Sequence, residues 1–292
     1  MRLHLVDGTY ELFRAHFSPR PGVQAPDGRD VKATVGLAAS LLALLHDAHE
    51  SVSHVAVAFD NPIHSFRNEL FAGYKSDEGV PPELHAQFDA AEEAARALGL
   101  TVWSMKELEA DDALGTAAAR WAGRVEQVRL LTPDKDLGQC VRGQHVVQVD
   151  RKQHKEMDEA AVRARLGVAP ASVPDLLALV GDAADGIPGL PGFGEKGASL
   201  LLGEYGHLER IPEDAATWTV RPRGAEKLAA TLRAHREQAL LYRRLATVVT
   251  DAPLRESLED LAWAGVPRER YLAWCDAMGL TTLRSRPQRW AP

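Results

Sequence analysis

Cysteine is scarce: Cys140 and Cys275 are the two in 292 residues. They lie far apart and show no metal-type spacing, which argues against a cysteine metal site and fits a reducing, cytoplasmic setting. No apolar stretch approaches the ~20 residues that a membrane span needs. Arg2 and His4 interrupt the start of the chain, so it does not read as a signal peptide. Eleven histidines are present, yet none forms an H-E-x-x-H or other metal-type pair. Net positive charge is missing as well. The 34 Lys and Arg against 41 Asp and Glu leave a formal charge of −7, so any nucleic-acid binding must rest on local basic patches. Repeats and low-complexity tracts are absent.

What is present is an ordinary soluble composition, 45% hydrophobic and 26% charged, in a chain long enough for one or two domains with a full core. The apolar runs at 3–7, 54–60, 100–105, 128–132 and 145–150 predict short strands of a mostly buried parallel sheet. Helical stretches lie between them. Leu84, Phe88, Ala91, Ala95 and Leu98 keep the spacing of a one-sided helix that Gly99 ends. This alternation predicts a doubly wound α/β domain ending near residue 160. From about Asp158 the pattern is helical, broken by a Gly/Pro-rich segment at 186–197.

The stretch LLTPDKDLGQCV, residues 130–141, sets Asp134 and Asp136 one residue apart with Lys135 between them. In an extended chain both would point to one face and repel unless something cationic sat between them. A helix cap or an Asx-turn also accounts for such a pair. More acids close other strands, Asp7 the first and Asp60 the second. KELEADDALG opens a helix with Glu109, Asp111 and Asp112. Glu109 and Asp112 share a helical face, and an acidic first turn favoured by the helix dipole is the alternative reading. VGDAADGIPG adds Asp182 and Asp185. The functional crevice of an open α/β sheet lies outside the carboxyl ends of its strands, so these acids are expected to gather there. Burying so much like charge demands counter-ions. Oxygen-only ligands point to hard cations, Mg2+ or Mn2+. Two ions ~4 Å apart, held by carboxylates, are the usual clamp for phosphodiester hydrolysis.

Six motifs in order, LVDG, FD, FRNELFAGYK, LEADDALGT, TPDKDL and VGDAADGIPGLPGFGEKGA, followed by RGAEKLAATL and LATVVTD, resemble the 5′-nuclease domain of bacterial DNA polymerase I and its flap-endonuclease relatives. The resemblance implies a PIN-like doubly wound, mostly parallel α/β domain with a helical arch over 1–165. A helical DNA-binding domain would follow over 166–292, with a helix–three-turn–helix around 173–207. It implies a metal-dependent 5′-3′ exodeoxyribonuclease or flap endonuclease of DNA replication and repair. Its first metal site would use Asp7, Asp60, Glu109, Asp111 and Asp134; its second would use Asp112, Asp136, Asp182 and Asp185. Arg67 and Lys75 would approach the scissile phosphate, and Tyr74 would be an aromatic of the same arch. The chain ends about where that nuclease domain ends, so a free-standing, monomeric nuclease with no polymerase attached is expected.

Glycines at 186, 189, 192, 194 and 197 let backbone amides approach a phosphate, or else form a tight loop between helices. The resemblance implies a grip on branched or 5′-ended duplex DNA by Gly189, Gly192, Gly194 and Lys196, with K+ held by backbone carbonyls. Between 221 and 244, Arg221, Arg223, Lys227, Arg233, Arg236, Arg243 and Arg244 face only Glu226 and Glu237, which predicts a duplex-binding surface. Arg223, Lys227, Arg233 and Arg236 are its foremost candidates. Two positions depart from the family pattern: Glu78 stands where an arginine is common, and Gly186 where asparagine is usual. The first weakens the expected positive arch. Two alternatives remain, a non-catalytic branched-DNA-binding homologue and a single-strand ribonuclease on the related PIN fold.

Overall fold

A computed structural model describes all residues from Met1 to Pro292. They pack as two compact units, one of residues 1–64, 77–132 and 250–292, the other of 65–76 and 133–249. These units interleave along the chain and so differ from a consecutive 1–165 and 166–292 division. Long-range ties explain the C-terminal return to the first unit. Trp263 donates its backbone N–H to Ser53 O at 2.9 Å and its indole N–H to Leu98 O at 3.0 Å.

In the first unit β1 (Arg2–Asp7), β2 (His54–Asp60), β3 (Thr101–Met105) and β4 (Gln127–Leu131) lie side by side in the order β3-β2-β1-β4, all parallel. The apolar runs of β1, β2 and β4 are buried almost without alternation, as expected of strands covered on both faces, while β3 at the end of this order buries only Trp103 and Met105. Helices Gly8–His16, Lys32–Leu45, Phe88–Ala97 and Ala110–Trp121 supply the connections. The turn from β1 into its helix requires Gly8, because a Cβ there would lie 2.6 Å from the Phe59 ring and 2.8 Å from Ala58 O. The single helix expected over 84–98 is interrupted. A short turn Pro82–His85 precedes Phe88–Ala97, and Gln87 between them is buried. Its amide oxygen accepts from Thr34 N and Oγ1 at 3.1 and 3.2 Å, and its Nε2 donates to Glu83 O. A buried amide with its partners fixed sets the local chain direction more strongly than helical periodicity does.

In the second unit β5 (Val146–Asp150) pairs antiparallel with β6 (Lys155–Met157), Gln148 opposite Met157. The sequence does not announce β6, since Lys155 and Glu156 are exposed and polar. The rest is helical: Glu159–Leu166, Val173–Val180, Glu195–Tyr205, Ala225–Ala234 and Arg236–Ala246. Val173, Leu177, Leu201, Leu232 and Leu245 are core residues of this unit. No helix is long and apolar enough to cross a membrane.

Candidate active site

In the first unit the acids stand where their strands end. Asp7 closes β1 and caps the following helix, its Oδ1 accepting the Tyr10 N–H at 2.8 Å while Thr132 donates its hydroxyl to Oδ2 at 2.9 Å. Asp60 closes β2 and accepts the Ala110 N–H at 2.7 Å, which ties it to the start of the helix carrying Glu109, Asp111 and Asp112. Register places both strand ends at the carboxyl edge of the sheet, with Asp7 beside Ala58 and Asp60 beside Met105. Glu109 and Asp112 form a capping box, in which Asp112 Oδ2 accepts the Glu109 N–H at 2.9 Å. Asp112 has no accessible surface. Its position is therefore fixed by helix initiation, and the acidic first turn is realised at this residue. Asp111 and Asp60 are half-buried.

In the second unit Asp134 caps the short 3-10 helix Lys135–Cys140, accepting the Asp136 N–H at 3.0 Å. Asp136 is buried, and its Oδ1 has no hydrogen-bond partner. Its carboxyl titrates well above the usual range, first because of burial and then because Asp134, Asp185 and Asp182 are negative neighbours. Asp182 and Asp185 sit on a tight turn, with Asp182 and Ile187 exchanging both backbone hydrogen bonds at 2.8 Å. Two ammonium groups answer this charge. Lys75 Nζ lies 3.0 Å from Asp185 Oδ1 and Lys135 Nζ lies 2.7 Å from Asp182 Oδ2. Tyr74, buried, donates its hydroxyl to Asp185 Oδ2 at 3.4 Å. Lys135 thus pairs with an acid nearly fifty residues away rather than with the two that flank it. It is absent from the ligand set that sequence reasoning assembles, and its only local signal is its place between two carboxylates.

The residues fit a divalent cation on one specific ground. A buried carboxylate oxygen without a donor, amid three further carboxylates, lacks the partner that such atoms normally have, and hard cations take oxygen ligands. In neither unit do three or more His, Cys, Asp or Glu side chains already form a metal cage; lysines hold two of the second unit's carboxylates instead.

Arg67 occupies a different place from the one its motif suggests. It is 2% exposed, and its guanidinium donates to Leu245 O at 2.8 Å and Thr247 O at 2.9 Å. It therefore closes the carboxyl end of helix Arg236–Ala246, whose last carbonyls have no intrahelical partner, and does not face solvent. The basic segment also divides. Arg243 is spent on Asp175 and Glu209, and Arg221 donates to Ala215 O at 2.7 Å. Arg236 is half-buried and reaches Leu208 O at 3.3 Å. Lys196, Arg223, Lys227 and Arg233 are exposed. A Cβ at Gly197 would lie 3.5 Å from Leu228 and 4.0 Å from Pro222. Of the glycines, Gly189 is buried with φ +71°, and a Cβ there would lie 2.5 Å from Gly181 N; its purpose is close packing. Gly192 and Gly194 are exposed, and Gly194 caps helix Glu195–Tyr205 with open space around it.

Residues 2–167 match the family model for the 5′-3′ exonuclease N-terminal resolvase-like domain, and residues 168–269 match that for the 5′-3′ exonuclease C-terminal SAM fold. The chain belongs to the 5′-3′ exonuclease family. DNA polymerase I of Bacillus caldotenax is 36% identical over 282 residues, 95% of this chain but 31% of the polymerase. The chain thus spans under a third of that relative's length. Two solved structures share the exonuclease fold. The bacteriophage T5 flap endonuclease, in a pseudo-enzyme-product complex with DNA and metal ions, has a TM-score of 0.64 at 18% identity, covering 98% of this chain and 95% of that one. The catalytic core of Rad2 in complex with DNA substrate has a TM-score of 0.60 at 14% identity, covering 96% and 87%.

Proposed function

We propose that this chain is a structure-specific 5′ nuclease, a 5′-3′ exodeoxyribonuclease and 5′-flap endonuclease that hydrolyses DNA phosphodiesters with two Mg2+ or Mn2+ ions. The observation that carries this reading is the partnerless, buried Asp136 oxygen among Asp134, Asp182 and Asp185, in a chain whose family is that of 5′-3′ exonucleases. In the first unit Asp7, Asp60, Glu109 and Asp111 would be its own candidate ligands, and Asp112 would set the position of Glu109. Such ions, when bound, lower the pKa of water and neutralise charge on the phosphate. Lys75, only partly exposed and directed by Asp185, would offer its ammonium to a phosphate oxygen. Tyr74 fixes the same carboxylate from its other oxygen.

Grip on branched or 5′-ended duplex DNA is assigned to Lys196, Arg223, Lys227 and Arg233, with Gly192 and Gly194 admitting the backbone and K+ bound at the turn. Contacts of this kind position a duplex without reading its sequence. The flap endonuclease and the Rad2 core, each solved with DNA, support DNA as the substrate, and we assign the chain to replication and repair. The two buried cysteines suit a reducing cytoplasm, where the chain would act as a monomer.

The test is a labelled 5′-flap duplex incubated with wild type and Asp136→Asn, with Mg2+ or with excess chelator. Wild type should cut only with Mg2+, and Asp136→Asn should lose at least about a hundredfold in rate while still binding the flap, since grip lies in other residues. Equal cutting in chelator would sink the proposal. Binding without cutting under any divalent ion would favour the non-catalytic branched-DNA-binding role.

A further inference from the structure

Four carboxylates of the second unit, Asp134, Asp136, Asp182 and Asp185, interact with one another and with two ammonium groups, Lys75 and Lys135. With all six ionised the cluster keeps two negative charges, which a single divalent cation would neutralise. Lys135 pairs with Asp182 at 2.7 Å, and that carboxylate is buried while the lysine is only partly exposed. Its short tether is decisive: Lys135 lies in sequence between Asp134 and Asp136, so its ammonium cannot diffuse away as a solution cation would. Asp136 Oδ1, meanwhile, remains without a partner. One oxygen of the cluster is thus open to a metal, while another is held by an internal cation.

Resting on the cation reading of this cluster given above, we propose that Lys135 is a built-in competitor for divalent cations. By occupying Asp182 it weakens binding at the second unit's acids and sets the concentration of free Mg2+ at which they fill. Neutral glutamine at 135 leaves Asp182 to the metal. Arginine there keeps the competing charge.

Mn2+ binding without DNA tests this, by paramagnetic resonance and calorimetry, on wild type, Lys135→Gln, Lys135→Arg and Lys155→Gln. The last removes the same charge at an exposed position on β6. The binding class in question is the one that Asp136→Asn abolishes. Lys135→Gln should tighten that class about tenfold, equivalent to ~1.4 kcal/mol, while Lys135→Arg and Lys155→Gln stay near wild type. Mn2+ should also raise the melting temperature of Lys135→Gln more than that of wild type, because ligand binding to the native state stabilises it. If the glutamine variant folds only when Mn2+ is present, the proposal stands; failure to fold with Mn2+ overturns it. Unchanged affinity in Lys135→Gln, or equal tightening in Lys155→Gln, overturns it too and leaves the nuclease reading intact. A wild type that binds no Mn2+ overturns both.

Discussion

Arg67 sits in FRNELFAGYK, a motif whose charge suggests contact with a substrate phosphate. Its guanidinium is instead sealed among the carbonyls of Leu245 and Thr247, where a helix C-terminus favours a cation. Losing it would leave buried acceptors unpaired. Arg67→Ala should therefore lower the unfolding free energy by about 2–4 kcal/mol, measured by chemical denaturation. A variant as stable as wild type that merely cuts slowly would return Arg67 to the phosphate. Asp112 is a second residue of this kind, since an acid read as a ligand is wholly buried and begins a helix. One side chain can serve both the fold and the chemistry nearby, and sequence alone weighs the two equally.

Among elements, the Gly/Pro-rich turn between helices Val173–Val180 and Glu195–Tyr205 separates packing glycines from open ones. Gly186 has φ +72°, and a Cβ there would meet Gly73 O at 2.0 Å. Its departure from the family's asparagine is thus explained by a close backbone approach, reinforced by Lys75 N donating to Asp185 O at 3.0 Å. Asparagine tolerates a left-handed backbone better than most residues, yet it carries a Cβ. Gly186→Asn should destabilise by about 2 kcal/mol or more, whereas Gly194→Ala, with open space and ordinary φ, should stay within about 0.5 kcal/mol of wild type. Melting temperatures of the two variants decide it; equal tolerance would mean that the turn relaxes freely.

At the scale of the whole molecule, acid stability should carry the mark of one network that shares no residue with the acidic clusters. Glu50 is partly buried, which by itself would raise its pKa, but hydrogen bonds from His4 and Arg129 outweigh burial and bring it from 4.5 to about 2. The unfolded chain therefore takes up this proton first, and stability falls as pH drops from about 4.5 towards 2. His4, buried at the start of β1, is held below the ordinary histidine value of 6.5 chiefly by burial. It resists protonation in the native state, so some loss begins as pH falls below 6.5. Glu50→Gln should flatten the limb between pH 4.5 and 2 and, because Glu50 is the partner that raises His4, deepen the higher one. Denaturation curves across pH 2.5–8 test this; an unchanged lower limb would show that other carboxylates govern acid unfolding.

Strand positions, the alternation of strands and helices, and the acids at strand ends were legible in the sequence because each rests on local pattern. Buried strands read as apolar runs, and Asp7 and Asp60 close them. The ordered motifs of a nuclease family were legible for the same reason. Only the tertiary structure decided the partner of Lys135, the sealing of Arg67, the break at Gln87 and the return of residues 250–292 to the first unit. Each depends on atoms dozens to nearly two hundred residues away. Periodicity and propensity describe a chain's neighbours in sequence, while burial and hydrogen-bond satisfaction are set by its neighbours in space.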